Sequence, residues 1–268
     1  VQRKFTLSQN NKYGELMVSR NELMAFLDKT LEPHKIKDYC PNGLQVEGTT
    51  DIKKIVTGVT ASQAMIDAAI AHGADALLVH HGYFWKGESQ TITSLKKKRI
   101  KSLLMADINL IAYHLPLDIH PTLGNNAQLA QRFGISNVQG LEPGNPVSVA
   151  VKGEFATPIT VAELERRIGQ SLARDVLVEG QPDKEIRTVA WCSGGGQSFI
   201  EMAGEQGIDA FISGEVSEQT IHLAREYDVA FFAAGHHATE RYGAKALGEF
   251  VADNLDVDVE FIDIDNPA

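Results

Sequence analysis

Cysteine is nearly absent: Cys40 and Cys192 are the only ones in 268 residues, far apart and without a second pair. Neither a disulfide scaffold nor a cysteine-bound zinc is indicated. Long apolar runs are missing too, none approaching the roughly 20 residues that cross a bilayer. The chain opens without the apolar segment and cleavage signature of a secretory signal, so we expect a cytoplasmic protein that makes no membrane contact. A positive field is also lacking. Against 25 basic residues stand 35 acidic ones, a formal charge of −10, which argues against wrapping a phosphate backbone. One basic run, Lys96-Lys97-Lys98-Arg99-Ile100-Lys101, interrupts this inside an expected helix. It is either a solvated face or a local contact for an anion or DNA. With 43% hydrophobic and 22% charged residues the composition is that of a globular chain able to bury one large core or two modest ones.

Residues 1–16 are weakly patterned and read as a polar extension, native or added. After Met17, Ser19-Arg20-Asn21-Glu22 is a capping box that opens a helix carrying Leu23, Phe26, Leu27 and Leu31. The chain then contains its own half twice. Val56 to Gln63 and Val189 to Gln197 each read as a strand, a small-residue loop and a helix start. The copies continue into Gly73-Ala74-Asp75-Ala76-Leu77-Leu78-Val79 and Gly207-Ile208-Asp209-Ala210-Phe211-Ile212-Ser213, which places His81 opposite Glu215. A further helix and strand close each half, near His114 and His236. Strand, helix, glycine turn, strand is the order that favours parallel pairing with right-handed crossovers. We therefore expect an α/β protein of two related lobes, with mainly parallel or mixed sheets flanked by helices. The turn-rich Leu141-Glu142-Pro143-Gly144-Asn145-Pro146 marks the boundary, giving lobes at 17–140 and 141–268. A strand from Val147 to Phe155, a capping box at Thr160-Val161-Ala162-Glu163 and a last strand from Val257 to Ile262 are expected in the second lobe.

Chemistry concentrates at the strand ends. His80-His81 follows the apolar Leu77-Leu78-Val79, His236-His237 is followed by Glu240, and Asp118 lies in a segment beginning with His114. Grouped imidazoles and carboxylates cost stability unless something offsets their desolvation, which points to a bound metal. Strand C-terminal ends are where open α/β sheets place ligands. Nitrogen and oxygen donors together suit zinc, manganese, iron, cobalt or nickel. His236 and Glu240 are four apart and share one face if helical, and a carboxylate such as Glu240 or Asp118 can bridge two ions. That chemistry predicts a metal-dependent hydrolase acting through bound water, with Glu240 and Glu215 as candidate catalytic groups. His114, His237, Glu215, Glu218 and His222 are expected to support the site or touch substrate. Gly194, Gly195 and Gly196 either present backbone N–H groups to a phosphate or give close strand-to-helix packing. Tyr83, Phe84 and Trp85 offer stacking surfaces for a base, or a lobe or subunit contact.

Val79-His80-His81-Gly82, His114-Leu115-Pro116-Leu117-Asp118 with Gly124-Asn125-Asn126, Ser213-Gly214-Glu215, and Gly235-His236-His237-Ala238-Thr239-Glu240 together resemble the NIF3-like family, whose bacterial members are called GTP cyclohydrolase 1 type 2 homologues. Pro41-Asn42-Gly43-Leu44-Gln45-Val46 and Phe261-Ile262-Asp263-Ile264 fit the same pattern, so the likeness runs from about Ser19 to the C-terminus. The resemblance implies that His80, His81, Asp118, His236 and Glu240 hold two divalent metal ions per subunit. It also implies a toroidal homohexamer, a trimer of dimers with its metal sites facing inward. For function it implies hydrolysis of a nucleotide or other small molecule, or a ring-shaped binding scaffold in DNA repair or regulation.

Overall fold

The computed structural model describes residues 16–268, so the expected polar extension lies outside the described residues except for Leu16. A small ribbon pairs β1 (Val18–Ser19) antiparallel with β3 (Asp51–Ile52), and between them lie α1 (Arg20–Leu31) and β2 (Gly43–Val46). The capping box at the head of α1 is complete: Ser19 Oγ accepts from Glu22 N, and the Glu22 carboxylate accepts from Ser19 N. The first repeat follows as β4 (Lys54–Thr60), α2 (Gln63–Ala71), β5 (Ala76–His81), α3 (Ser94–Met105) and β6 (Asn109–Ala112). Next come α4 (Leu115–Ile119), α5 (Asn125–Phe133), β7 (Ser136–Gly140), β8 (Val151–Thr160), α6 (Val161–Leu172) and β9 (Leu177–Glu179). The second repeat is β10 (Glu185–Cys192), α7 (Ile200–Glu205), β11 (Ala210–Ser213), α8 (Glu218–Glu226) and β12 (Ala230–Ala233), closed by α9 (His236–Asn254) and β13 (Asp258–Phe261). Among the described residues no helix is long and apolar enough to cross a membrane.

The repeat is real down to single hydrogen bonds. In one copy Asp75 Oδ2 accepts the backbone N–H groups of Lys53 and Lys54, and in the other Asp209 Oδ2 accepts those of Arg187 and Thr188. Each aspartate thus ties the start of one strand to the start of its parallel neighbour. Gly73 and Gly207 share a left-handed φ of 67°, which a side chain would resist. In both copies three strands pair in parallel, β4-β5-β6 and β10-β11-β12.

Around these triplets the sheets are mixed, in the orders β13-β4-β5-β6-β2 and β7-β8-β10-β11-β12-β9. Both faces are covered. On the first sheet Val56, Leu77 and Leu110 face Met65 and Leu103 on one side, while Ile55, Leu78 and Ile111 face Leu23, Leu27 and Leu247 on the other. Such strands read as continuous apolar runs because alternate residues enter different cores. The expected division at 140/141 does not follow the sheets. It falls between β7 and β8, which pair with each other, and β13 leaves the second half to pair in parallel with β4. By doing so β13 covers an edge that would otherwise expose unpaired N–H and C=O groups.

Two local expectations shift. The strand expected from Val147 begins at Val151, since Ser148 and Val149 bond back to Glu142 instead of joining the ladder. At α6, Thr160 caps Glu163 N, but the Glu163 carboxylate turns to Arg166 and Arg167, so only half of the box forms.

The paired aspartates generate a prediction. Asp75→Ala and Asp209→Ala should each lower stability by about 1–3 kcal/mol, because each strands two backbone donors. Urea denaturation of the single and double variants should show near-additive losses, since the two clamps lie in different sheets.

Candidate metal centre

The site forms where α9 crosses from one sheet to the other. Its first residue, His236, follows closely on β12 of the second sheet, and its body packs on β4, β5 and β13 of the first. One turn along, Glu240 projects from the same face as His236 and meets the end of β5, where His80 and His81 stand. Asp118 comes from α4, just beyond β6. Directly after His81, Gly82 leaves no room for a side chain: a Cβ there would lie 2.1 Å from Gln45 Oε1 and 2.7 Å from Ala112 Cβ.

Glu240 is buried and its two oxygens face different partners. Oε1 lies 3.5 Å from His80 Nε2, which is also 3.6 Å from Asp118 Oδ1. Oε2 lies 3.3 Å from His81 Nε2 and 3.2 Å from His236 Nε2. Ligands at about 2.1 Å from a tetrahedral ion stand about 3.4 Å from one another, so these spacings suit a central cation better than direct hydrogen bonds. Two atoms at the heart of the group, His80 Nε2 and Glu240 Oε2, are buried with no hydrogen-bond partner. Buried polar atoms are rarely left so. The groups His80/Asp118/Glu240 and His81/His236/Glu240 can each hold a metal ion.

Every imidazole near the centre is anchored by its other nitrogen. His80 Nδ1 bonds to Tyr113 O at 3.0 Å, His81 Nδ1 to Thr60 Oγ1 at 3.1 Å, His236 Nδ1 to Glu215 Oε1 at 2.8 Å and His114 Nδ1 to Asp38 Oδ1 at 2.7 Å. This is how metal-binding histidines are oriented, the outer partner fixing which nitrogen faces inward. Asp118 Oδ1 is held likewise, accepting from Asn125 Nδ2 and Ser193 Oγ. Asn125 also takes Gly243 N of α9, so one amide joins Asp118 to the helix carrying Glu240.

The charges are tightly coupled. Burial opposes a charged His80, but Asp118 and Glu240 outweigh it and lift the imidazole to about 9. Contact with Glu240 lifts His236 to about 9 as well. Burial, reinforced by the neighbouring imidazoles and only partly opposed by Glu240, pushes His81 down to about 3. Asp118 is raised by its burial, whereas Glu240, although just as buried, is held well below the usual carboxylate range by His81 and His80. Protons on His80 and His236 thus do what a metal cation would do.

Of the residues expected to support the site, Glu215 orients His236, and His114 points at the cluster with its ring 5.1 Å from that of His80. His237 faces the cavity rim and pairs with Asp263 at 2.7 Å. Glu218 and His222 are not brought to the site. They lie exposed on α8, 3.8 Å from each other, because that helix presents this face to solvent. In the glycine loop Gly194 and Gly196 serve close packing, while Gly195 lies open on the cavity wall. A Cβ on Gly194, whose φ is +60°, would lie 2.1 Å from Glu240 Oε1, and one on Gly196 would strike Cys192. Gly194 N is already spent on Thr239 Oγ1. Among the three aromatics only Trp85 lines the cavity, edge-on to His114. Tyr83 is in the core with its hydroxyl on Ala61 O, and Phe84 lies under Lys96. Sequence reasoning missed Asp38. It also failed to give Asn125 and Ser193 roles, although the Gly124-Asn125-Asn126 motif contained a signal for Asn125.

Over residues 18–267 the chain matches the Duf34/NIF3 (NGG1p interacting factor 3) family. A protein of Vibrio cholerae serotype O1 named GTP cyclohydrolase 1 type 2 homolog is 62% identical over 248 residues, spanning 92% of this chain and 98% of that one. Among solved structures, protein ybgI, described as of unknown function, superposes with a TM-score of 0.89 at 54% identity over 94% of this chain and 100% of that one. A protein of Thermus thermophilus follows at 31% identity and a TM-score of 0.83, covering 94% of this chain and 100% of its own.

Two outcomes are expected from this geometry. Gly194→Ala should weaken metal uptake more than about tenfold and cost about 1–3 kcal/mol, through displaced Glu240 and a strained left-handed backbone; metal titration and denaturation read the two effects separately. Metal entry should also expel protons from His80 and His236, so uptake should release protons at pH 7 and tighten as pH rises through 9. A pH-indicator titration that finds no proton release at neutrality would contradict this charge pattern.

Proposed function

The chain belongs to the Duf34/NIF3 family, and on that premise we propose that it is a metal-dependent hydrolase whose centre takes two divalent ions sharing Glu240. The observation that carries this reading is the division of Glu240 between two sets of donors, Oε1 toward His80 and Oε2 toward His81 and His236. Two ions held this way would make water a nucleophile near neutral pH and clamp the oxygens of a hydrolytic transition state. The two donor sets differ in access. His80, Asp118 and Glu240 are all buried, and although Asp118 and Glu240 reach the cavity wall His80 does not; His81 and His236 both line it, with side chains 16% and 30% exposed. The inner set suits a closed position, while the outer set leaves room for water and substrate.

The chain's own residues supply the orientation. Glu215 and Thr60 fix the rings of the outer set, Tyr113 O and the Asn125–Ser193 pair fix the inner set, and the Asp38 carboxylate holds His114 Nδ1 so that its other nitrogen looks toward the cluster. Zinc, manganese, iron, cobalt and nickel all fit a mixed nitrogen and oxygen donor set. The name carried by the Vibrio cholerae relative makes opening of the guanine ring of GTP one reaction to try here. Association into a ring of six, a trimer of dimers, belongs to the same proposal and is read by light scattering.

A second reading is a ring-shaped scaffold that touches DNA. It is favoured by Lys97, Lys98 and Lys101, all exposed on α3, and opposed by the formal charge of −10. DNA binding at physiological salt that is lost on neutralising these three lysines would support it.

For the hydrolase, protein loaded with each metal in turn is assayed on GTP, cyclic nucleotides, phosphoesters and amides. Formate release identifies ring opening, and phosphate release identifies a phosphatase. Glu240→Gln keeps the shape and removes the bridging charge. It should cut turnover by about a hundredfold or more and lower the metal content while the circular dichroism spectrum is unchanged. Fully metallated protein that turns over none of these classes would sink the reading.

A further inference from the structure

Beside the metal centre lies a cavity of about 1060 Å³, at the upper end of small-molecule sites and wide enough for a nucleotide-sized ligand. Away from the histidines, Lys37 and Arg99 are the basic side chains that line it. Arg99 stands out by what it lacks. Other arginines among the described residues have a carboxylate, a carbonyl or a ring against the guanidinium, as Arg167 has Glu163, Arg174 has Ala268 O and Arg132 has Tyr242. Among the described residues Arg99 has no ion pair and no hydrogen bond, and its Nε is shut off from solvent without a partner. The nearby acid is already taken: Glu88 pairs with Lys96 at 3.4 Å and accepts from Trp85 N.

A partly desolvated cation without a counterion is costly in a folded protein, and an anion from outside can offset that cost. The guanidinium is planar and offers parallel N–H groups to two oxygens of a phosphate or carboxylate, which a lysine cannot do. Helix α3 holds it on the wall of the cavity that also contains His81, His236 and Glu240. We propose that Arg99 is the anion-anchoring residue of this cavity, taking a phosphate or carboxylate group of the substrate while the reacting part lies at Glu240. This rests on the reading of the cavity as the substrate site of the proposed hydrolase. The basic run singled out in the sequence is thereby divided: Lys97, Lys98 and Lys101 face solvent and Arg99 faces the cavity.

The test compares wild type, Arg99→Gln and Arg99→Lys, each with metal loaded and with metal stripped by a chelator. Inorganic phosphate, pyrophosphate and citrate are titrated by calorimetry at low ionic strength, and metal content is measured on the same samples. Loss of a charge-assisted bidentate contact should weaken the preferred anion roughly ten- to a hundredfold in Arg99→Gln. Arg99→Lys should fall between, keeping charge without the fork, and metal content should match wild type in both. Preference for the phosphates or for citrate identifies the anion. Should Arg99→Gln fail to fold, Arg99→Lys decides, since loss of the fork alone should weaken binding several-fold. Anion binding that is unaltered in the folded variants, or absent from wild type in both metal states, overturns the proposal. The stripped samples read the anchor without metal, so a failure of the metal-centre reading appears instead in the metal content.

Discussion

One buried carboxylate sets the terms for the rest of the molecule. Glu240 sits at the junction of the two sheets with its side chain 4% exposed, and it stays ionised there only because imidazoles approach both of its oxygens. A charge taken this far out of water must be neutralised nearby. The strands ending at His80 and His81, and the helix beginning at His236, have to converge on it. Their convergence brings the second half of the chain onto the first.

Helix α9 is the element that makes this possible, because it starts in one sheet's strand end and packs along the other sheet. The Asn125 amide then locks the joint from the side, bonding Asp118 with one atom and the α9 backbone with the other. Trp191 and Ser193 extend the lock into the second sheet, through the carbonyl and side chain of Asn126. Stability and the geometry of the candidate metal centre thus share the same hydrogen bonds. Residues that look like core, such as Asn125 and Thr239, both fully buried, are also what keep the donors in position.

The two repeats are equivalent in their scaffolds and unequal in their chemistry. Asp75 and Asp209 do the same work in each copy, yet His81 offers a donor nitrogen where its counterpart Glu215 supports His236 from outside. Duplication of a strand–helix–strand unit supplies two strand ends. Divergence at those ends leaves each copy supplying both donors and the groups that orient them, Thr60 and Tyr113 in the first and Glu215 in the second.

Much of this was legible in the sequence because it is encoded locally. Apolar runs mark strands buried on both faces, Ser19 with Glu22 marks a helix start, and a four-residue interval puts His236 and Glu240 on one helical face whatever surrounds them. The repeat could be read because spacing survives where identity does not. Long-range placement could not be read this way. Asp38 reaches His114 across 76 residues with no periodic signal, and Glu218 and His222 carry the right chemistry on a helix face that points to solvent. The exchange of β7 and β13 between sheets is equally silent, since a strand's pattern specifies which faces are buried but not which edge it joins. The sequence by itself determined the elements, their faces and the residue types at the strand ends. Only the tertiary structure decided that the two oxygens of Glu240 would divide between two sets of donors, because that depends on how two sheets pack against one helix.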